Sequence, residues 1–419
     1  MATFCDSTFV GTLVVDVGAV TTRVGYAGDD SPRAIYPSAV CAWVDDAGGP
    51  QHGVLEHEPK LSPETFARLE ARAMTTRSGA VDEWVLRGLL DHGLQQLGCI
   101  SWAAHPVLLT EPTCADSSMR RHTAEFMFEE MGVPALCVSR SAELVAVGVG
   151  AATAVVLELG GEAATAAVVA DGMVMTRSVQ RSPFGGVNIA RTLMKLASKH
   201  PSLGSTGIQP ACTLRAPCHV SYRVMRDNEL ARDLLETVGR CAEFTVRPTK
   251  GKHKGAAVAP APAPTAEYTL PDGRTLELGE QSTSVSEHLF NEHPVEAGGL
   301  PPLQALVLNS IATTDGDLHK ELMRHVVLTG GMTSMPGLPE RFEAELRAAA
   351  NASTVQSILN VAHRTTLINA HPHDRRHGAW LGGSILGSLG SHHELWMSRA
   401  EYEEYGASLI TRKGMQYTW

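Results

Sequence analysis

This sequence of 419 residues lacks the motifs that would mark several other protein classes. Its eight cysteines show no Cys-x-x-Cys spacing, so we expect structural thiols in a reducing intracellular compartment. Its scattered histidines form no His-Glu-x-x-His motif, and the isolated His pairs are expected to be solvated loop residues rather than metal ligands. The longest uncharged apolar run, Leu144–Leu157, is shorter than the ~18 residues that a membrane span needs. No membrane contact is therefore predicted.

A basic excess is also missing. The formal net charge is −10, whereas a broad nucleic-acid-binding face normally carries surplus Lys and Arg, so direct nucleic-acid binding is disfavoured. The N-terminus has acidic residues where a signal peptide would have a basic and then an apolar region. With 43% apolar and 19% charged residues, the chain has the composition of a folded protein, and its length exceeds one ordinary core. Two lobes are expected.

Short β-branched runs alternate with amphipathic stretches along the chain, which predicts an α/β fold. Strands are predicted over 12–17, 105–110, 134–138, 154–158, 166–170 and 326–329. Helices are predicted over 61–73 (with Ser62 as its N-cap), 83–97, 117–132 and 339–350. The sequence Pro271-Asp272-Gly273 predicts a hairpin turn between two further strands.

One device occurs twice. A buried strand ends in an acidic residue and runs into a glycine turn, first at Asp16 and Gly18, then at Glu158 and Gly160. Such turns present backbone N–H groups to an anion, and two of them face to face would clamp a polyphosphate. Two ordinary glycine hairpins would show the same pattern, so the residues alone leave both interpretations open.

Residues 247–266 have a different composition. A basic cluster over 247–254 is followed by an Ala/Pro run, which cannot form a packed core, so a flexible surface insert is predicted. The basic cluster is compatible with a nuclear localisation signal or with a solvated loop.

Several motifs, in order along the chain, resemble the actin superfamily. The first hairpin reads Gly-Tyr-Ala-Gly-Asp-Asp-Ser-Pro-Arg over 25–33, and His-Pro-Val-Leu-Leu-Thr-Glu follows over 105–111. Leu-Thr-Gly-Gly stands at 328–331. The C-terminal block is the most specific, with Trp-Leu-Gly-Gly-Ser-Ile-Leu over 380–386 and Trp-Met-Ser-Arg over 396–399.

The resemblance implies an actin-like ATPase fold with two related lobes around a nucleotide cleft. The small lobe would comprise 1–148 with 377–419, and the large lobe 149–376 with the insert at about 247–266. The two glycine turns would then be the two phosphate loops, with ATP and Mg²⁺ between them.

The resemblance also implies which residues of this chain stand at the nucleotide-binding positions of the family. The metal would lie near Asp16 and Glu158 through water. The positions that would line the cofactor are Asp16, Gly18, Ala19, Val20, Arg23, Glu158, Gly160, Gly161, Glu162, Gly186, Arg232, Glu236, Gly330, Gly331, Met332 and Arg376. Arg23 replaces a phosphate-contacting lysine, which keeps the charge but delivers it as a planar fork.

The hydrolysis machinery departs from actin. Ser141 replaces the glutamine that orients the attacking water and is too short to reach it, and Thr165 replaces an assisting histidine. Glu162 puts a carboxylate where a phosphate would approach. We therefore predict a chain with little or no ATP hydrolysis and no catalytic residues, with a metal ion offsetting the added charge.

Arg140-Ser141 and the first loop resemble the nuclear, fourth class of actin-related proteins. This implies a scaffold subunit in chromatin-remodelling or histone-acetyltransferase complexes in the nucleus, with actin and a long helix of a helicase-type subunit as partners. The double-glycine loop is closer to conventional actin. A cytoskeletal ATPase that forms or caps filaments is the alternative, although residues 40–74 lack the text of actin's filament loop. A small-molecule kinase of the wider superfamily is disfavoured by the C-terminal block.

Overall fold

The computed structural model describes residues 11–45, 47–54, 56–57, 61–74, 82–203, 207–215, 217–242, 265–291, 299–368, 370–389 and 393–413. The predicted insert at 247–266 lies outside the described residues except for its last two positions.

The strands within these ranges are β1 Leu13–Val17, β2 Thr21–Tyr26, β3 Ala34–Pro37, β4 Ala39–Val44, β5 Pro50–Gly53, β6 Glu70–Ala73, β7 Val107–Glu111, β8 Ala135–Arg140, β9 Ala154–Leu159, β10 Ala164–Ala170, β11 Met173–Val174, β12 Gln180–Ser182, β13 Ala266–Thr269, β14 Thr275–Leu278, β15 Val326–Thr329, β16 Leu367–Ile368 and β17 Met397–Ser398.

The helices are α1 Pro63–Ala67, α2 Glu83–Gln96, α3 Ser117–Glu125, α4 Ser141–Gly148, α5 Gly186–Ala197, α6 Ala211–Arg215, α7 Val220–Val238, α8 Glu280–Ser284, α9 Glu287–Phe290, α10 Leu303–Ala312, α11 His319–Leu322, α12 Leu338–Asn351, α13 Gln356–Val361, α14 Pro372–Ser388, α15 Arg399–Tyr405 and α16 Leu409–Lys413. No helix in the described ranges is both long enough and apolar enough to cross a membrane.

Two large sheets repeat one arrangement. In the first, whose order is β17-β8-β7-β1-β2-β3, the hairpin β1–β2 lies beside the parallel strands β7 and β8. In the second, whose order is β11-β10-β9-β15-β16, the hairpin β9–β10 lies beside the parallel strands β15 and β16. The predicted α/β class is therefore confirmed. The motif of a strand, an acidic residue and a glycine turn occupies the same position in both sheets. The lobe boundaries at 148, 149, 376 and 377 stay a prediction.

Helices α4 and α14 cross between the two sheets at very short range. A Cβ added to Gly382 would lie 1.7 Å from the carbonyl oxygen of Leu144, so only glycine allows this approach. Trp380, on the same helix, is fully buried, and its indole N–H donates to the carbonyl of Val14 at 3.1 Å. Residues of the Trp-Leu-Gly-Gly motif thus pack α14 against β1 and α4.

A third, three-stranded sheet, β5-β4-β6, touches α7 through a small buried core. We call this core the outer cluster; its buried members are Cys41, Phe66, Leu69, Cys212 and Tyr222. The rings of Phe66 and Tyr222 meet edge to face at 5.6 Å, and the N–H of Ala71 donates to the hydroxyl of Ser221 at 2.9 Å. Because α7 also packs into the core of the second sheet, the outer cluster ties residues 41–71 to that body.

One predicted helix is too long. The stretch 61–73 is helical only over Pro63–Ala67, capped by Ser62 as predicted, and Glu70–Ala73 is a strand paired with β4. Sheet pairing thus overrides the helical pattern there. The other predicted helices and strands appear with ends shifted by a few residues.

Candidate nucleotide cleft

The two glycine turns face each other in direct contact. Turn one, residues 18–20, joins β1 to β2, and turn two, residues 160–163, joins β9 to β10. A Cβ on Gly161 would lie 2.2 Å from Cγ2 of Val20, so the valine side chain rests on the glycine of the opposite turn. This contact shows that the two turns face each other, although Val20 fills part of the space between them.

Turn two is fastened to the start of α5. The N–H groups of Gly186 and Val187 donate to the carbonyls of Gly160 and Gly161 at 2.9 and 2.8 Å. A Cβ on Gly186 would lie 2.8 Å from Cγ of Met332. Residues predicted at the cleft from three separate parts of the chain therefore lie together.

The double glycine after β15, Gly330 and Gly331, lies against turn two on the same side of the cleft. Gly330 has φ +101°, and a Cβ there would lie 2.3 Å from the carbonyl oxygen of Leu159. At Gly331 an added Cβ would meet nothing within 4 Å, so open space lies above this glycine.

The turns also hold unused donors. Among the described residues, none accepts a hydrogen bond from the backbone N–H of Ala19, Val20 or Gly161. Three such donors on two facing turns make a local concentration of positive partial charge, which suits a phosphate group.

Asp16 and Arg23 form an ion pair beneath turn one. They are directly opposite each other on β1 and β2, and Arg23 Nη1 lies 2.7 Å from Asp16 Oδ2, with only 12% and 13% of the two side chains exposed. The other carboxylate oxygen, Oδ1, accepts from the hydroxyl of Thr110 at 2.7 Å. Arg23 Nε donates to Nδ1 of His377 at 3.0 Å. Burial and the neighbouring guanidinium lower the pKa of His377 to about 4.

Glu158 is held by hydroxyl groups. Thr113 Oγ1 donates to Glu158 Oε2 at 2.7 Å and lies 3.0 Å from Ser141 Oγ. Burial raises the pKa of Glu158, against the opposing effect of these two hydroxyls, and the charge of Asp16 raises it further. Thr165 lies directly opposite Glu158 on β10 and is 8% exposed. Both predicted sites of lost hydrolysis residues, Ser141 and Thr165, thus lie beside Glu158.

Three positions that were predicted to line the cofactor, Arg232, Glu236 and Arg376, meet at the surface. Glu236 Oε1 lies 3.9 Å from Arg232 Nε and 3.5 Å from Arg376 Nη2, which links α7 to α14. Glu162, in turn two, is exposed. Two residues that sequence reasoning missed are Thr113, which follows the motif at 105–111, and His377; nothing in the local sequence signals that His377 contacts Arg23, 354 positions away.

Comparison with known proteins agrees with this geometry. The family model described as Actin matches residues 7–415. Proteins named actin-related protein 4 are 29% identical over 462 residues in Oryza sativa subsp. indica and 31% identical over 452 residues in Arabidopsis thaliana, each alignment covering 96% of this chain and 98% of the relative. An actin-like protein of Neurospora crassa is 31% identical over 415 residues, covering 95% of this chain and 97% of the relative. The chain therefore belongs to the actin family, with similarity to actin-related protein 4 over almost its whole length.

Proposed function

We propose that this chain is a non-filamentous scaffold subunit of a nuclear chromatin-remodelling or histone-acetyltransferase complex that holds ATP as a structural ligand, with little or no hydrolysis. The observation that carries the proposal is the composition of the site around Glu158. The hydroxyl of Ser141 is engaged with Thr113, and Thr165 cannot take up a proton near neutral pH. Neither Ser141 nor Thr165 can accept a proton from an attacking water near neutral pH, so we expect a bound triphosphate to persist.

The described residues fit a nucleotide. Family membership implies nucleotide binding in general. The two facing turns supply three unused N–H donors, and open space lies above Gly331. A ligand bound across both turns would stabilise the closed arrangement by mass action, without turnover. This is the behaviour expected of a scaffold.

The residues do not fit the Mg²⁺ ion that the sequence resemblance implied. Both carboxylate oxygens of Asp16 are already bonded, one to a guanidinium, and a cation approaching Asp16 would meet the like charge of Arg23. Within the described ranges, no group of three or more His, Cys, Asp or Glu is placed to hold a metal.

The partners expected for such a scaffold are actin and a long helix of a helicase-type subunit, with a nuclear location. The filament alternative needs residues 40–74 to be available to a neighbouring subunit. In this structure Cys41, Phe66 and Leu69 are buried in the outer cluster of the same chain, so these three side chains are not available to a neighbouring subunit.

The first test is to purify the chain, extract it with acid and quantify adenine nucleotide by chromatography while following phosphate release for hours. We expect ATP in near-stoichiometric amount without release. The double variant Ser141→Gln/Thr165→His restores the two hydrolysis side chains and should raise phosphate release, whereas Ser118→Gln, on an exposed face of α3, should not. Bound ADP with steady release from the unaltered chain would refute the proposal.

A binding measurement tests the scaffold role. Purified actin and the chain, mixed and run by size-exclusion chromatography, should elute as one complex, and the chain alone should not sediment as filaments with any added nucleotide. Nucleotide-dependent sedimentation of the chain alone would favour the cytoskeletal alternative.

A further inference from the structure

Beneath turn one, the positive guanidinium of Arg23 lies against the carboxylate of Asp16, where a metal-dependent site would hold a cation. In a metal-dependent nucleotide site, a divalent cation links protein carboxylates to phosphate oxygens. Here the guanidinium of Arg23 already occupies the carboxylate side of that link, at 2.7 Å from Asp16.

Arg23 also has donors left for an anion. A guanidinium carries five N–H donors. Nε is engaged by His377 and Nη1 by Asp16, while no described residue accepts from Nη2. Nη2 has no partner among the described residues, yet it is not a buried unpaired atom, so it remains in contact with solvent. Nη1 itself lies 3.7 Å from the position of a Cβ on Gly18, so the guanidinium is adjacent to turn one.

His377 fixes the orientation of the Arg23 guanidinium. Because its Nδ1 accepts from Arg23 Nε at 3.0 Å, the plane of the guanidinium is held at two edges, by a carboxylate on one side and an imidazole on the other. A planar fork that is held in this way loses little conformational entropy when it binds a phosphate in bidentate fashion.

We infer that Arg23, positioned by Asp16 and His377, takes the place of the divalent cation, so that the cleft binds a nucleoside triphosphate without metal. The inference rests on the proposed function, since it assumes that nucleotide enters the cleft. It assigns Arg23 as the phosphate-binding residue that sets the cofactor requirement, and His377 as a residue that positions it.

The test is equilibrium dialysis of nucleotide-stripped full-length chain with ATP, in excess EDTA and in excess Mg²⁺. We expect the two values of Kd to agree within about threefold. Binding that is at least a hundredfold tighter with Mg²⁺ would overturn the inference and leave the proposed ATP ligand intact. Absence of binding in both buffers would refute the ATP ligand, and the inference with it.

Variants distinguish the roles. Arg23→Gln should weaken binding in EDTA by about tenfold or more, and Mg²⁺ should restore part of it because Asp16 is then open to a cation. Arg33→Gln removes a guanidinium that pairs with Asp29 in the same hairpin outside the cleft, and should change neither value. His377→Gln, which keeps an acceptor for Nε, should bind better in EDTA than His377→Ala. Equal binding of Arg23→Gln and the unaltered chain in EDTA would overturn the inference.

Discussion

At the scale of single residues, buried charges in this molecule are held by specific partners. Glu111 and Arg120 are each less than a tenth exposed, and Arg120 Nε donates to Glu111 Oε1 at 2.9 Å. Glu111 ends the His-Pro-Val-Leu-Leu-Thr-Glu motif, so part of that motif serves to anchor α3 to the C-terminal end of β7 in the first sheet.

Removing one partner of this pair should be far more damaging than removing both. Arg120→Met leaves a buried carboxylate with only the more distant Arg140, and we expect the free energy of unfolding to fall by about 3 kcal/mol in denaturant titrations. The double variant Glu111→Leu/Arg120→Met should recover most of this loss. A single variant that loses less than about 1 kcal/mol would contradict this account.

His377 should make stability depend on pH. Its pKa in the folded chain is about 4, below the ordinary value of 6.5, so the unfolded chain takes up the proton first. The stabilisation is complete above about pH 6.5 and is lost as the pH falls toward 4. His377→Gln cannot titrate, so the loss of stability between pH 6.5 and 5 should be smaller in this variant than in the unaltered chain. If stability fell with pH to the same extent in both proteins, His377 would not be the source of the pH dependence.

At the scale of elements, the crossing of α4 and α14 is set by glycine. Gly382→Ala would place a methyl group 1.7 Å from a backbone oxygen, so the helices must separate. We expect a loss of several kcal/mol, or failure to fold, measured by thermal unfolding. Gly53→Ala is the control, since an added Cβ there meets nothing within 4 Å. A Gly382→Ala protein as stable as this control would show that the helices adjust at no cost.

Most elements were predictable because their signals are local. Apolar strands between glycine turns identified β1, β9 and β10, and periodicity identified α2 and α12. The strand Glu70–Ala73 was missed because its partner, β4, lies about thirty residues away. In the cleft, the repeated turns came from the sequence and the remaining positions from the family resemblance, whereas the Arg23–His377 contact depends on folding and has no local signal.

At the scale of the whole molecule, the outer cluster is the contact that we expect to control access to the cleft. It joins the three-stranded sheet to α7, so separation of the two sides exposes Phe66 and Tyr222. A nucleotide held between the turns is expected to leave mainly when these contacts break.

Weakening the outer cluster should therefore speed nucleotide release. Phe66→Leu loses the ring contact with Tyr222, worth about 1 kcal/mol, and we expect dissociation of a fluorescent ATP analogue to be about fivefold faster. Phe342→Leu, in the core of the second sheet, is a matched control that should lower stability without changing release. Unchanged release from Phe66→Leu would show that the cleft opens elsewhere.

Because the outer cluster is apolar, its strength should vary with temperature in a way that an ion pair would not. Opening it exposes hydrocarbon to water, which raises the heat capacity and makes the closed arrangement less favoured on cooling. Chilled samples would therefore hold the three-stranded sheet against α7, and any bound nucleotide in the cleft, less tightly at equilibrium than samples at room temperature.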